Sequence, residues 1–151
     1  MKEEQVTKVI LKWLIANRWT IVCYDFPQSG TGKSLHPNSR NEGKNKDAII
    51  PDVVAVRDGI CVFLENKDRF YYPDYEKQHA LMTSNDYSND ISALLEPFSV
   101  HTIYYGIGLP TAKHKQGSKE AAHLVDFILC VNDDFSVETV YNPKCILFSA
   151  V

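Results

Sequence analysis

A chain of 151 residues with an apolar share of 44% has the length of one ordinary domain and enough hydrophobic material for a single core, so one domain over residues 1–151 is expected. Its formal net charge of -3 excludes a surface coated in basic residues; any attraction for nucleic acid must be local. Cys23, Cys61, Cys130 and Cys145 are widely spaced within apolar runs and show no CxxC pairing, which points to reduced core thiols in a cytoplasmic protein rather than to zinc or disulfides. The opening Met-Lys-Glu-Glu-Gln, followed by Lys8 and Lys12, is unlike a signal peptide or a membrane span, so no membrane partner is expected.

Val6, Val9, Ile10, Trp13 and Leu14 recur at helical spacing behind Glu3 and Glu4, predicting a helix over Glu3 to Asn17. The β-branched and aromatic segment from Trp19 to Phe26 predicts a strand that Pro27 ends. From Pro27 to Asp47 Leu35 is the one large aliphatic residue, so a long loop is expected. Its Lys33, Arg40, Lys44 and Lys46 outnumber Glu42 and Asp47, leaving a local positive excess. Two strands should follow, Ala48 to Val56 and Ile60 to Lys67, turning at Asp58-Gly59 and apolar on both faces, as suits central strands covered by helices on each side. Helices are then expected at Tyr75 to Met82, Asp90 to Leu95 and Lys119 to Leu124. Strands are expected at His101 to Ile107, Phe127 to Val131, Val137 to Tyr141 and Cys145 to Phe148.

The hairpin carries the chemistry. With Asp58 and Gly59 as the two turn residues, Arg57 faces Ile60 and, counting outward, Asp52 faces Glu65. Lys67 lies two residues beyond Glu65 and shares its face. Two opposed carboxylates in an apolar hairpin repel unless something positive compensates them. Lys67 supplies one charge, and the paired oxygens suit a hard divalent cation that keeps several waters, magnesium above all, with manganese as a substitute. Such an ion stabilises charge on a phosphate and acidifies a water, while Lys67 can orient that water or help deprotonate it. The reaction class that fits is phosphodiester hydrolysis by in-line attack of water.

Pro51-Asp52, twelve intervening residues, and Glu65-Asn66-Lys67 together resemble the signature of the PD-(D/E)XK nuclease superfamily, and the order of elements over roughly Glu3 to Ile107 is similar to its common core. The resemblance implies an α/β fold with a central mixed sheet flanked by helices, a restriction endonuclease-like core. It also implies magnesium dependence, DNA as the usual substrate, and a metal ligand from the backbone carbonyl of Asn66 beside Asp52 and Glu65. Members often place a further carboxylate on the first helix, and Glu3 shares the inward stripe better than Glu4. They often carry a Lys or Gln on the helix after the motif, where Lys77 and Gln78 stand. Type II restriction-endonuclease-like proteins are the nearest subgroup in organisation; phage, repair and junction-resolving nucleases share the core. Cutting a duplex takes two sites, which implies a homodimer or a larger partner subunit.

Competing signals are weaker. Asp52 as a strand cap, with Glu65 and Lys67 as an exposed ion pair, conflicts with their apolar flanks. A non-catalytic DNA-binding or assembly module that keeps the fold would have no physical need for opposed carboxylates. Gly30-Thr31-Gly32-Lys33-Ser34 resembles the end of a phosphate-binding loop, but Pro27 stands where that motif needs a glycine and no amphipathic helix follows, so no nucleotide is expected. The five histidines form no ligand-spaced cluster. The loop carrying Lys33, Arg40, Lys44 and Lys46 and a second basic loop over Thr111 to Lys119, with Lys113 and Lys115, are expected to meet the DNA backbone, and Arg69 to line a groove just past the motif.

Overall fold

The computed structural model describes residues 1–26, 29–38, 48–114 and 117–149. The N-terminal apolar stripe winds into α1 (Glu3–Ala16), which buries Val6, Thr7, Ile10 and Leu14. Asn17 lies just beyond the last turn and donates its side-chain amide to the Trp13 carbonyl. The next strand, β1 (Thr20–Tyr24), is shorter at both ends than its β-branched run predicts, although Trp19 is buried.

The hairpin of β2 (Val53–Arg57) and β3 (Ile60–Asn66) has the expected register, with Arg57 facing Ile60 and Val53 facing Leu64. Asp58 and Gly59 both take positive φ, +51° and +81°, as a tight two-residue hairpin turn requires. Alternation along these strands sends Val53, Ala55, Val62 and Leu64 to the α1 side of the sheet, and Val54, Val56, Cys61 and Phe63 to the other.

That second side is covered by α2 (Tyr72–Thr83) and α3 (Ser88–Leu95), which contribute Leu81, Ile91 and Leu95. The chain then runs through β4 (Thr102–Pro110), α4 (Thr111–His114), α5 (Ser118–Ala121) with a 3-10 turn over Ala122–Leu124, β5 (Phe127–Val131) and β6 (Val137–Tyr141). The fold is α/β: a six-stranded mixed sheet in the order β1 to β6, flanked by helices. β3, β4 and β5 run parallel; the outer pairs are antiparallel. Among the described residues no helix is long and apolar enough to cross a membrane.

Four expectations need correction. Ala48 to Asp52 does not extend β2; Ile49 instead forms an isolated bridge with Leu35, and buried Leu35 anchors that part of the loop. Cys145 to Phe148 is not a strand, because Ile146 and Phe148 reach the core without sheet pairing. The Phe148 ring packs at a tilt against Trp13, Trp19 and Phe127, and Asn142 brackets Ile146 with two hydrogen bonds. Cys145 is therefore exposed, whereas Cys23, Cys61 and Cys130 are buried free thiols. Thr111 to His114, expected as loop, makes a helical turn straight after Pro110.

Gln78 is a structural tie. Its side chain is 1% exposed, and its amide nitrogen donates to the carbonyls of Phe63 at 3.1 Å and Gly106 at 2.7 Å, linking α2 to β3 and β4. Replacing Gln78 with Leu removes the donor both acceptors share. The expected loss is about 2 kcal/mol, read as a fall in Tm of about 4–8 °C.

Candidate active site

Asp52 immediately precedes β2, just past the last ladder pair, Val53 with Leu64: its N–H donates to the Leu64 carbonyl at 3.1 Å, and its carbonyl accepts the Asp25 N–H at 2.9 Å. These bonds hold the Asp52 carboxyl beside that of Glu65, on the α2 side of the sheet. Asp52 Oδ2 accepts the Asn66 backbone N–H at 2.7 Å, and a carboxyl–carboxylate hydrogen bond joins Asp52 to Glu65. Glu65 is 7% exposed and takes Lys77 Nζ at 3.0 Å on Oε1.

Lys67 sits at the end of β3, with its N–H on the Gly108 carbonyl at 2.9 Å. Its ammonium lies 3.6 Å from Glu3 Oε1, 3.9 Å from Asp74 Oδ2 and 5.2 Å from the centre of the Tyr71 ring. Glu3 faces this group from the first turn of α1, while Glu4 turns away to pair with Lys8. The side chain of Asn66 points to the other face, where its amide donates to Thr7 of α1 at 3.1 Å. Gly108 makes this possible, since a Cβ there would collide with Asn66 Oδ1 and Ile10 Cδ1.

Burial sets the electrostatics. Desolvation first, and the Glu65 charge second, push the Asp52 carboxyl up to about 8. Burial also raises Glu65, although Lys77 pulls it back. The two carboxyls titrate as a coupled pair, and at neutral pH the pair retains a proton between them. For Lys67, partial desolvation lowers the pKa, but Asp74, Glu3, Asp52 and Glu65 together reverse this and leave it raised. Lys67 is thus an ammonium, a donor to water and not a base in this state.

A carboxyl whose folded pKa lies above its unfolded value contributes stability that is complete below the unfolded pKa and is lost as pH rises through the folded one. The Tm of the metal-free protein should fall between pH 5 and about 8, where Asp52 ionises, and Asp52→Asn should flatten that slope. Calorimetry across this range checks it.

Of the remaining expected contacts, Lys33 and Lys113 are exposed. The segment carrying Lys33 packs on the end of β1: Thr31 Oγ1 donates to the Tyr24 carbonyl at 2.6 Å, and Gly32 abuts Asp25 and Ile50. No helix begins at Lys33 within the described residues 29–38, unlike a nucleotide-binding loop. Arg69 pairs with Asp68 at 2.8 Å and lies over Tyr71. Arg40, Lys44, Lys46 and Lys115 lie outside the described residues. Gln78, buried and engaged, is not placed to touch DNA, and Lys77 meets Glu65 first.

Two residues of this cluster escaped the sequence reading, Asp74 and Thr7. Asp74 stood outside a helix expected to start at Tyr75; with the helix begun at Tyr72, Asp74, Lys77 and Gln78 share one face by their spacing. No group of three or more His, Cys, Asp or Glu side chains arranged to hold a metal occurs among the described residues, so Asp52 and Glu65 are a pair and would need main chain and water to complete a cation's shell.

No family model and no curated protein matches this chain.

Proposed function

We propose that this protein is a magnesium-dependent deoxyribonuclease with a restriction endonuclease-like core, hydrolysing DNA phosphodiester bonds in the manner of type II restriction endonucleases. The observation that carries the reading is half-buried Asp52 set beside buried Glu65 at the open end of the β2–β3 hairpin, with the Lys67 ammonium at the same end of β3. Hydrogen bonding within the pair and retention of a proton mark an excess of negative charge that a hard cation would neutralise better. The donor set fits that ion: Asp52 and Glu65 would hold it, with the Asn66 carbonyl as the third protein ligand.

When bound, magnesium offsets charge on the scissile phosphate and acidifies a water. The remaining work is done by the chain. Lys67, kept protonated by its carboxylate neighbours, donates to the attacking water and orients it in line with the leaving oxygen. Lys77, at the rim of the pair, gives the phosphate a second cation to approach. Lys33 follows β1, whose end is tied to Asp52, and Lys113 follows β4 next to the end of β3. Both thus extend a positive approach for the DNA backbone, joined by Arg69. One site cuts one strand, so duplex cleavage calls for a homodimer or a larger partner subunit. The three buried thiols suit a reducing compartment, in keeping with a cytoplasmic enzyme.

The test is incubation with supercoiled plasmid, linear duplex, single-stranded and branched DNA in magnesium, in calcium and in chelator. Cleavage in magnesium alone supports the enzyme. Salt-sensitive binding to these DNAs with no cleavage of any of them points instead to a non-catalytic DNA-binding or assembly module on the same fold.

A further inference from the structure

Asp74 lies outside the Pro51-Asp52 and Glu65-Asn66-Lys67 signature, yet it is as buried as Glu65, each 7% exposed. An acid placed so deep needs a partner. The neighbouring polar groups of α2 are committed elsewhere, Tyr75 to Ser118 at 2.6 Å and Gln78 to two sheet carbonyls. Asp74 Oδ2 has no hydrogen-bond partner among the described residues and lies 3.9 Å from Lys67 Nζ. Burial raises its pKa, and Lys67 is the foremost influence pulling it back.

Lysine is a point charge on a flexible four-carbon stem, and its position is only as fixed as its partners. Glu3, the other acid beside Lys67, has a side chain 40% exposed, and a pair of that kind holds geometry weakly. Asp74 differs. It stands in the first turn of α2 behind Pro73, with its N–H on the Tyr71 carbonyl at 3.1 Å, while the next residue, Tyr75, is 1% exposed and anchored on Ser118. The Tyr71 ring limits the ammonium from a further side.

We infer that Asp74 is a positioning residue that fixes the Lys67 ammonium at the end of β3 and so determines where it meets the attacking water. Its catalytic meaning rests on the nuclease reading; its grip on Lys67 does not. Asp74→Asn keeps the shape and removes the charge, whereas Asp74→Glu keeps the charge.

Two readouts test this on the intact chain. In the first, wild type and both variants are treated with dilute acetic anhydride, and acetylation of Lys67 is followed by peptide mass spectrometry with Lys8 as internal reference. Lys67 should react about three- to tenfold faster in Asp74→Asn and near the wild-type rate in Asp74→Glu. Equal Lys67 rates in all three proteins overturn the inference. In the second, plasmid cleavage in magnesium should show kcat lowered about 10- to 100-fold in Asp74→Asn, with KM and the magnesium midpoint unchanged, and recovery to within about threefold in Asp74→Glu. A magnesium midpoint raised about tenfold or more would make Asp74 a metal ligand and overturn the positioning role. A wild-type protein that cleaves nothing removes the nuclease reading, and the Lys67 reactivity then decides the positioning role by itself.

Discussion

Asp52→Asn should abolish magnesium-dependent cleavage while making the metal-free protein more stable. Asparagine preserves the size of the side chain and can still accept the Asn66 N–H, but it does not bring a second ionisable carboxyl against Glu65. The loss of activity should be about a thousandfold or more, since a correctly held metal supplies several kcal/mol of charge stabilisation. The gain in stability should be on the order of 1–2 kcal/mol at pH 8, a rise in Tm of about 2–8 °C, because ionising a buried acid is a cost the variant escapes. Opposite signs for activity and stability are what separate a cation seat from a structural carboxylate, whose loss would lower both. The same proton makes magnesium binding pH-dependent in the wild type: while Asp52 stays protonated, apparent affinity should rise about tenfold per pH unit up to about 8 and then level off.

Lys67→Met should reduce kcat by about 100- to 10,000-fold, the range for a positioned group that works on a proton or a water. Magnesium should still raise the Tm of this variant, because both carboxylates remain. Lys67→Arg should not restore the rate. Its planar fork presents donors in a different geometry, and Glu3 and Asp74 hold a compact ammonium from two sides. Single-turnover kinetics beside thermal shifts in magnesium measure both halves. A Lys67→Met protein that cleaves at the wild-type rate would remove Lys67 from the chemistry.

The hairpin was legible because two independent local rules agree on it. Asp58-Gly59 demands a tight turn, and the strict period of two then fixes the pairs from Arg57–Ile60 to Val53–Leu64; Asp52, just past the last pair, bonds the Leu64 carbonyl and meets Glu65 through its side chain. The six strands at the centre were legible for a similar reason, as their β-branched and aromatic runs have no competing helical period.

What failed to show in the sequence depends on distant partners. Asp74 looks like a polar residue ahead of a helix until the helix is seen to begin at Tyr72 and to aim it at Lys67. Gln78 looks like a surface polar residue in a helix of weak amphipathicity, and only the sheet beneath it reveals two carbonyls awaiting a donor. Ile146 and Phe148 alternate as a strand would, yet they fill a gap beside Trp13 and Trp19 without pairing to any strand. Side-chain demand and backbone pairing produce the same short pattern there.

The most direct measurement is a crystal structure of the protein grown in manganese, which gives an anomalous signal and takes the same oxygen ligands. One anomalous peak is expected in contact with the carboxylates of both Asp52 and Glu65. An intact hydrogen bond between these two side chains at saturating manganese, with no peak beside them, would contradict it.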